Sequence, residues 1–214
     1  MNHRSVIGLV IKYPNGTSYS YDAEKNSKKQ SKKKEMSFSK RGMTLEEEIN
    51  ESNAYYLALS KAVIHKKPTP VQIVKVDYPK RSAAVIKEAY FRQASTTDYN
   101  GVYNRFYLDF EAKETKNNLS FPLKNFHQHQ ISHMQDCLKQ SAICFVILRF
   151  SSSNRLFLLE AKQLIVYWEN QETNGRKSIP LKDLEKIGYE MYYGLSPRIP
   201  YLSIVDQLIA KDNE

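Results

Sequence analysis

Over residues 106–113 the chain alternates strictly, with Phe106, Leu108, Phe110 and Ala112 on one side and Tyr107, Asp109, Glu111 and Lys113 on the other. A period of two is that of a half-buried β-strand, so Glu111 and Lys113 share a face. Upstream, Thr44-Leu45-Glu46-Glu47 has the form of a capping box, and Leu45, Ile49, Ser52, Tyr56 and Leu59 follow at helical spacing, which predicts a first long helix. Residues 62–67 and 71–76 read as strands separated by Pro68 and Pro70, which force an extended passage. Residues 82–94 are helix-compatible, with Ala83, Ile86, Ala89 and Tyr90 as an apolar stripe. A second long helix is predicted over 122–139, where Leu123, Phe126, Gln130, Met134 and Cys137 point inward. Strands are predicted over 142–150, 155–161 and 164–168, the last placing Trp168 in the core, and Pro200 opens a closing helix to Ala210. No segment repeats.

Length and composition narrow this picture. With 214 residues, 41% of them hydrophobic and 26% charged, one sizeable core is expected and a second independent domain is not required. No run approaches the roughly 18 apolar residues of a membrane helix. Residues 6–11 are apolar but too short for a signal-peptide core, and no small-residue cleavage site follows, so a cytoplasmic protein is expected. Cys137 and Cys144 lie in apolar runs and read as reduced core residues rather than a disulfide.

Charge divides the chain. Of the net +9, residues 1–41 carry +7, from ten Lys or Arg against Asp22, Glu24 and Glu35. A basic arm over 1–41 thus precedes a nearly neutral body over 42–214. The run containing Lys28, Lys29, Lys32, Lys33 and Lys34 has few apolar neighbours, which predicts disorder in isolation. Two roles stay open for it: a solubilising tail, or an arm that binds phosphates and weakens steeply with salt.

Candidate chemistry centres on Asp98, Glu111 and Lys113. Asn100-Gly101 and Tyr103-Asn104-Arg105 are turn-compatible and could fold the strand of Asp98 back alongside Glu111. Two carboxylates and an ammonium suit phosphodiester hydrolysis: the carboxylates hold a hard divalent cation, and the lysine stabilises charge on phosphorus or orients water. On the residues alone, a solvated strand face with a cross-strand charge pair is the better reading. Residues 66–93 carry Lys66, Lys67, Lys75, Lys80, Arg81 and Lys87 and read as an insertion that could grip a nucleic-acid backbone, against an ordinary hairpin with a helix. Of the three glutamates of the first helix, the capping box accounts for Glu47; Glu46 and Glu48 either approach a metal or, the better reading, are exposed. Gln130 interrupts an apolar stripe, so its amide is satisfied by nearby backbone or turns its carbonyl to a metal, and the local sequence favours the first. His127, His129 and His133 invite a zinc reading, but Gln130 stands where a zincin has its glutamate and no third ligand is evident, leaving a solvated helix face.

Several segments together resemble the RecU family, the Holliday-junction resolvases of Gram-positive bacteria. They include Arg41-Gly42-Met43-Thr44-Leu45-Glu46, His65-Lys66-Lys67-Pro68-Thr69-Pro70-Val71-Gln72, residues 78–89, Thr96-Thr97-Asp98-Tyr99-Asn100-Gly101, residues 109–116, Asn174-Gly175-Arg176-Lys177-Ser178-Ile179 and Pro197-Arg198-Ile199. The set is specific and covers the chain from about Tyr13 onward; the first dozen residues look like an extension. The resemblance implies an α/β fold of the restriction-endonuclease-like, PD-(D/E)xK type, a mixed sheet flanked by helices with a protruding stalk over about 66–93. It implies Mg2+, for which Mn2+ substitutes, held by Thr96, Asp98, Glu111 and Gln130, with Lys113 stabilising the transition state. DNA contacts are expected at Lys66, Lys67, Lys80 and Arg81, with the stalk entering the open centre of a four-way junction. A homodimer is implied, as are contact with the recombinase RecA, strand annealing, and nucleoid association during recombination and repair. Symmetry agrees: paired nicks in a two-fold junction need two sites related by a two-fold axis, and recognition should rest on phosphates and junction shape. A duplex cutter of the same fold is less favoured by the basic stalk. A non-catalytic DNA-binding and strand-annealing protein is less favoured by the intact Asp98, Glu111 and Lys113.

Overall fold

The computed structural model describes Ile11, Lys12, Ser18, Tyr19 and residues 43–212 apart from 81, 82, 93, 94 and 174. Contacts divide the chain into Met1–Arg41 and Gly42–Glu214. In the first unit, β1 (Ile11–Lys12) pairs antiparallel with β2 (Ser18–Tyr19); the expectation of a disordered basic arm otherwise lies outside the described residues.

The second unit runs α1 (Leu45–Ala58), β3 (Val63–Lys66), β4 (Val71–Lys80), β5 (Ala83–Phe91), β6 (Tyr99–Tyr103), β7 (Phe106–Thr115), β8 (Ser120–Pro122), α2 (Gln128–Lys139), β9 (Ile143–Phe150), β10 (Arg155–Glu160), α3 (Ala161–Asn170), β11 (Ser178–Pro180), α4 (Leu181–Ile187), β12 (Tyr189–Met191) and α5 (Leu202–Asp212). Six strands form the main sheet in the order β12-β10-β9-β7-β6-β3, with β7 and β9 parallel and the other pairs antiparallel. All eight residues of β9 are buried, as a central strand covered on both faces requires. Its Ile143, Phe145 and Ile147 join Ile49, Tyr56 and Val205 from α1 and α5, while Cys144, Val146 and Leu148 join Met134, Leu164 and Leu184 from α2, α3 and α4. The mixed sheet is therefore flanked by helices on both sides, as expected. No described helix is long and apolar enough to cross a membrane.

Two local features set the register that matters. Asn104 and Arg105 have φ of 47° and 74°, and Tyr103 pairs with Phe106 across them. This two-residue turn, with both central residues in the left-handed region, matches strand twist and fixes the β6–β7 pairing. Asn100 then faces Asp109 and Tyr99 faces Phe110, which brings Asp98 beside Glu111. Gly101 is not in a turn but within β6, where a Cβ would lie 2.1 Å from the Val63 carbonyl oxygen, so glycine lets β3 approach.

Four local expectations are corrected. The helix expected over 82–94 is not found at its described residues, 83–92: β5 pairs with β4 in a ribbon of its own, and Ile86, Tyr90 and Phe91 are exposed. The apolar stripe had no face to pack on, so burial never enforced its helical period. Residues 164–168 lie in α3, not a strand; Ala161 and Leu164 are buried, whereas Trp168 is only partly covered and donates its indole N–H to Gln128 Oε1 at 3.1 Å. Residues 122–139 split into β8, a single 3₁₀ turn (Leu123–Asn125) and α2. Leu59 lies past the end of α1, 58% exposed.

Candidate active site

The polar face of β7 is not solvated. Asp109 and Glu111 are both fully buried, because α2 and the loop before β6 cover this side of the sheet. Glu111 Oε2 accepts the Asp98 N–H at 3.2 Å and the Gln130 side-chain amide at 2.6 Å. Its Oε1 lies 3.2 Å from Lys113 Nζ, an ion pair without the alignment of a hydrogen bond, and has no hydrogen-bond partner. The Asp98 carboxyl is close enough to act on Glu111 electrostatically. Burial above all, and then Asp98, push Glu111 up to about 8 from its ordinary 4.5, against the pull of Lys113. A buried carboxylate with an oxygen free of hydrogen bonds, beside a second carboxylate, is a hard-oxygen donor set, and it fits a divalent cation such as Mg2+ or Mn2+.

The other expected residues take distinct places. Thr96 and Asp98 flank the buried Thr97 and are themselves only partly covered; the Thr96 hydroxyl donates to the Thr97 carbonyl at 3.1 Å. Gln130 uses both ends of its amide, since its Oε1 accepts the His127 N–H at 3.0 Å, closing a capping box at the start of α2, while its Nε2 donates to Glu111. Lys66 pairs with Glu46 at 2.5 Å, and the pair is substantially exposed. Lys67 is turned inward, donating to Asp109 Oδ2 at 2.9 Å and Thr97 Oγ1 at 3.1 Å. Among the described residues a cleft of about 640 Å³ lies where the β4–β5 ribbon meets the site, lined by Lys66, Lys67, Pro68, Arg92, Thr96 and Asp98 among others. The side chains of Lys80 and Arg81 lie outside the described residues.

Sequence reasoning misjudged two groups here. Glu47 forms the capping box with Thr44, and Glu46 pairs with Lys66, but Glu48 is buried rather than exposed, accepting from Arg149 Nη1 at 3.0 Å and Arg198 Nε at 3.4 Å. The histidines are not simply a solvated face. His133 Nε2 lies 3.1 Å from Asp109 Oδ2 and 3.5 Å from Cys137 Sγ, so Asp109, His133 and Cys137 bring their donor atoms within 4.8 Å of one another. The Lys67 ammonium already supplies the counter-charge of that carboxylate. His129 is held below its ordinary imidazole value by burial, His127 and Lys113. Cys137 and Cys144 are free thiols. Asp109 was visible only as one more polar position of the alternating strand; its spacing of two from Glu111, on the same face, was the available signal.

A mixed sheet with helices on both faces, carrying Glu111 and Lys113 two apart on one strand against the Asp98 loop, defines a nuclease-like α/β fold. The sequence profile of Recombination protein U, RecU, matches residues 40–207. The chain is 64% identical over 201 residues to the Holliday junction resolvase RecU of Lactiplantibacillus plantarum, covering 94% of this chain and 97% of that one. It is 58% identical to the proteins of the same name from Latilactobacillus sakei, covering 96% and 99%, and from Geobacillus sp., covering 94% and 98%. The chain belongs to the RecU family.

Proposed function

We propose that this protein is a structure-selective endonuclease that resolves Holliday junctions by paired, Mg2+-dependent nicking in recombination and DNA repair. The observation that carries the reading is Glu111: buried, with one oxygen free of hydrogen bonds and ion-paired to the Lys113 ammonium, beside the Asp98 loop. Relatives as similar as 64% identical, named as resolvases over nearly their whole length, support the substrate. Thr96, Asp98, Glu111 and Gln130 would hold the cation, and Mn2+ would substitute. When bound, the cation polarises a phosphate oxygen and lowers the pKa of water.

The remaining work falls to side chains. Glu111 and Asp98 orient water through their free lone pairs, and Gln130 fixes the Glu111 carboxylate by its 2.6 Å hydrogen bond. Lys113, partly exposed at the edge of the site, places positive charge where negative charge builds on the phosphorus. Lys66 and the ribbon carrying Lys75 and Lys87 offer phosphate contacts, and a two-fold dimer sets one site on each of two opposed strands. Lys67, turned toward Asp109, would act on DNA through the loop it holds, and DNA contacts are also proposed at Lys80 and Arg81. RecA is a further partner, in a cytoplasmic protein that joins the nucleoid when on DNA.

The test is cleavage of a synthetic four-way junction against linear duplex, with Mg2+ or EDTA, by wild type and Asp98→Ala. Symmetric nicks in the junction alone, abolished by EDTA and by the substitution, are expected. Tight junction binding without metal-dependent cleavage would instead leave a DNA-binding and annealing protein.

A further inference from the structure

The loop that carries Thr96 and Asp98 is anchored from beneath by a second carboxylate. Asp109 is fully buried two residues before Glu111 on the same face of β7. The Thr97 hydroxyl donates to Asp109 Oδ1, and Lys67 Nζ donates to Asp109 Oδ2 at 2.9 Å and to Thr97 Oγ1 at 3.1 Å. Tyr107 donates to Oδ2 at 3.1 Å, and His133 Nε2 stands 3.1 Å from the same oxygen. The backbone repeats the tie: the Lys67 N–H donates to the Asp98 carbonyl at 2.7 Å, and the Asp98 N–H to Glu111 Oε2 at 3.2 Å. Thr97, 2% exposed, is thus pinned from below, while its two neighbours in sequence stay partly open.

We infer that Asp109, acting through Thr97 and Lys67, is a positioning residue that sets the Thr96–Asp98 backbone at the distance from Glu111 which divalent-cation binding needs. This rests on the reading that Asp98 and Glu111 hold the cation. Asp109 itself is turned to Lys67 and Thr97 rather than to the space between Asp98 and Glu111. Its neighbours satisfy both of its buried oxygens: Lys67, 19% exposed in its side chain, is its ion-pair partner, and Thr97 and Tyr107 donate hydrogen bonds. A carboxylate so surrounded has one arrangement, and the loop above it inherits that arrangement. Strand β7 therefore presents two carboxylates with separate duties, Glu111 toward the cation and Asp109 toward the frame of the other ligands.

Removing Asp109 would strand the Lys67 charge and endanger folding, so the decisive variant is Thr97→Val, which keeps shape and loses only the hydroxyl. Mn2+ binding to the full-length protein without DNA, followed by the EPR signal of free Mn2+, is the readout, with junction cleavage across a Mn2+ series beside it. Thr97→Val should bind Mn2+ at least roughly tenfold more weakly, as loss of a ligand-orienting hydrogen bond does. Its cleavage should recover toward wild type at high Mn2+, Thr97→Ser should restore affinity, and the thermal midpoint should fall by only some degrees, because Asp109 keeps its bonds to Lys67 and Tyr107. Thr97→Ala serves if the valine variant does not fold. Wild-type Mn2+ affinity in Thr97→Val, or a loss that Thr97→Ser does not rescue, overturns the inference. Asp98→Ala separates the two levels: if it binds Mn2+ like wild type, the metal reading fails, and if it loses Mn2+ while Thr97→Val retains it, only the positioning inference fails.

Discussion

At the scale of single residues, the site is defined by how Glu111 is housed. Its folded-state pKa of about 8 stands well above the ordinary 4.5, chiefly through burial. Between these values the cation-free native chain holds a proton that the unfolded chain has released. By linkage, stability without metal should fall as pH rises from about 4.5 to about 8 and then level. On the proposed reading a divalent cation at Glu111 competes with that proton, so the rise in thermal midpoint on adding Mg2+ should grow with pH over the same window. Thermal unfolding in EDTA and in Mg2+ from acid to alkaline pH measures this, and Glu111→Gln should remove the trend. A midpoint shift independent of pH would mean that the cation does not displace the Glu111 proton. Much of this site was legible: the period of two grouped Glu111 with Lys113, and turn residues pointed Asp98 back toward them. The burial of that face was not, because it depends on α2 and on Lys67, which are distant in sequence and leave no mark on the strand's own pattern.

Among elements, the sequence was most legible where burial enforces a period and least where nothing is buried. The α1 capping box and the apolar run of β9 are found where the pattern puts them. In α3, Ile165 and Val166 have strand propensity, yet Ala161 and Leu164 three apart settle the helix by packing under β9 and β10. The β4–β5 ribbon shows the converse. Its described side chains are exposed except for the half-covered Val76, so backbone pairing alone decided against a sequence with good helix formers. Because it adds nothing to either core cluster, replacing residues 71–91 by a short Gly-Ser link should leave the thermal midpoint within a few degrees of wild type. Binding of a four-way junction, measured by gel shift, should drop to the level seen with linear duplex. A deletion that keeps junction preference would place recognition elsewhere.

On the scale of the whole molecule, each chain of the proposed two-fold dimer carries one site, and resolution by paired nicking then requires both. Dimers assembled from wild-type and Asp98→Ala chains should therefore nick a supercoiled cruciform on one strand and release it without linearising it. Linear product from mixed dimers at the wild-type rate would show that a single site serves both strands.

The separateness of the exposed ribbon also bears on how such a chain can change over time. A substitution in β7 or α2 disturbs hydrogen bonds that cross the interior, and must answer to folding as well as to chemistry. A substitution on the ribbon touches neither core cluster and, on the proposed reading, answers to DNA contact alone. If it contacts DNA as proposed, that contact can drift while the interior stays constant, and grafting the ribbon of one relative onto the body of another requires no repacking of the core.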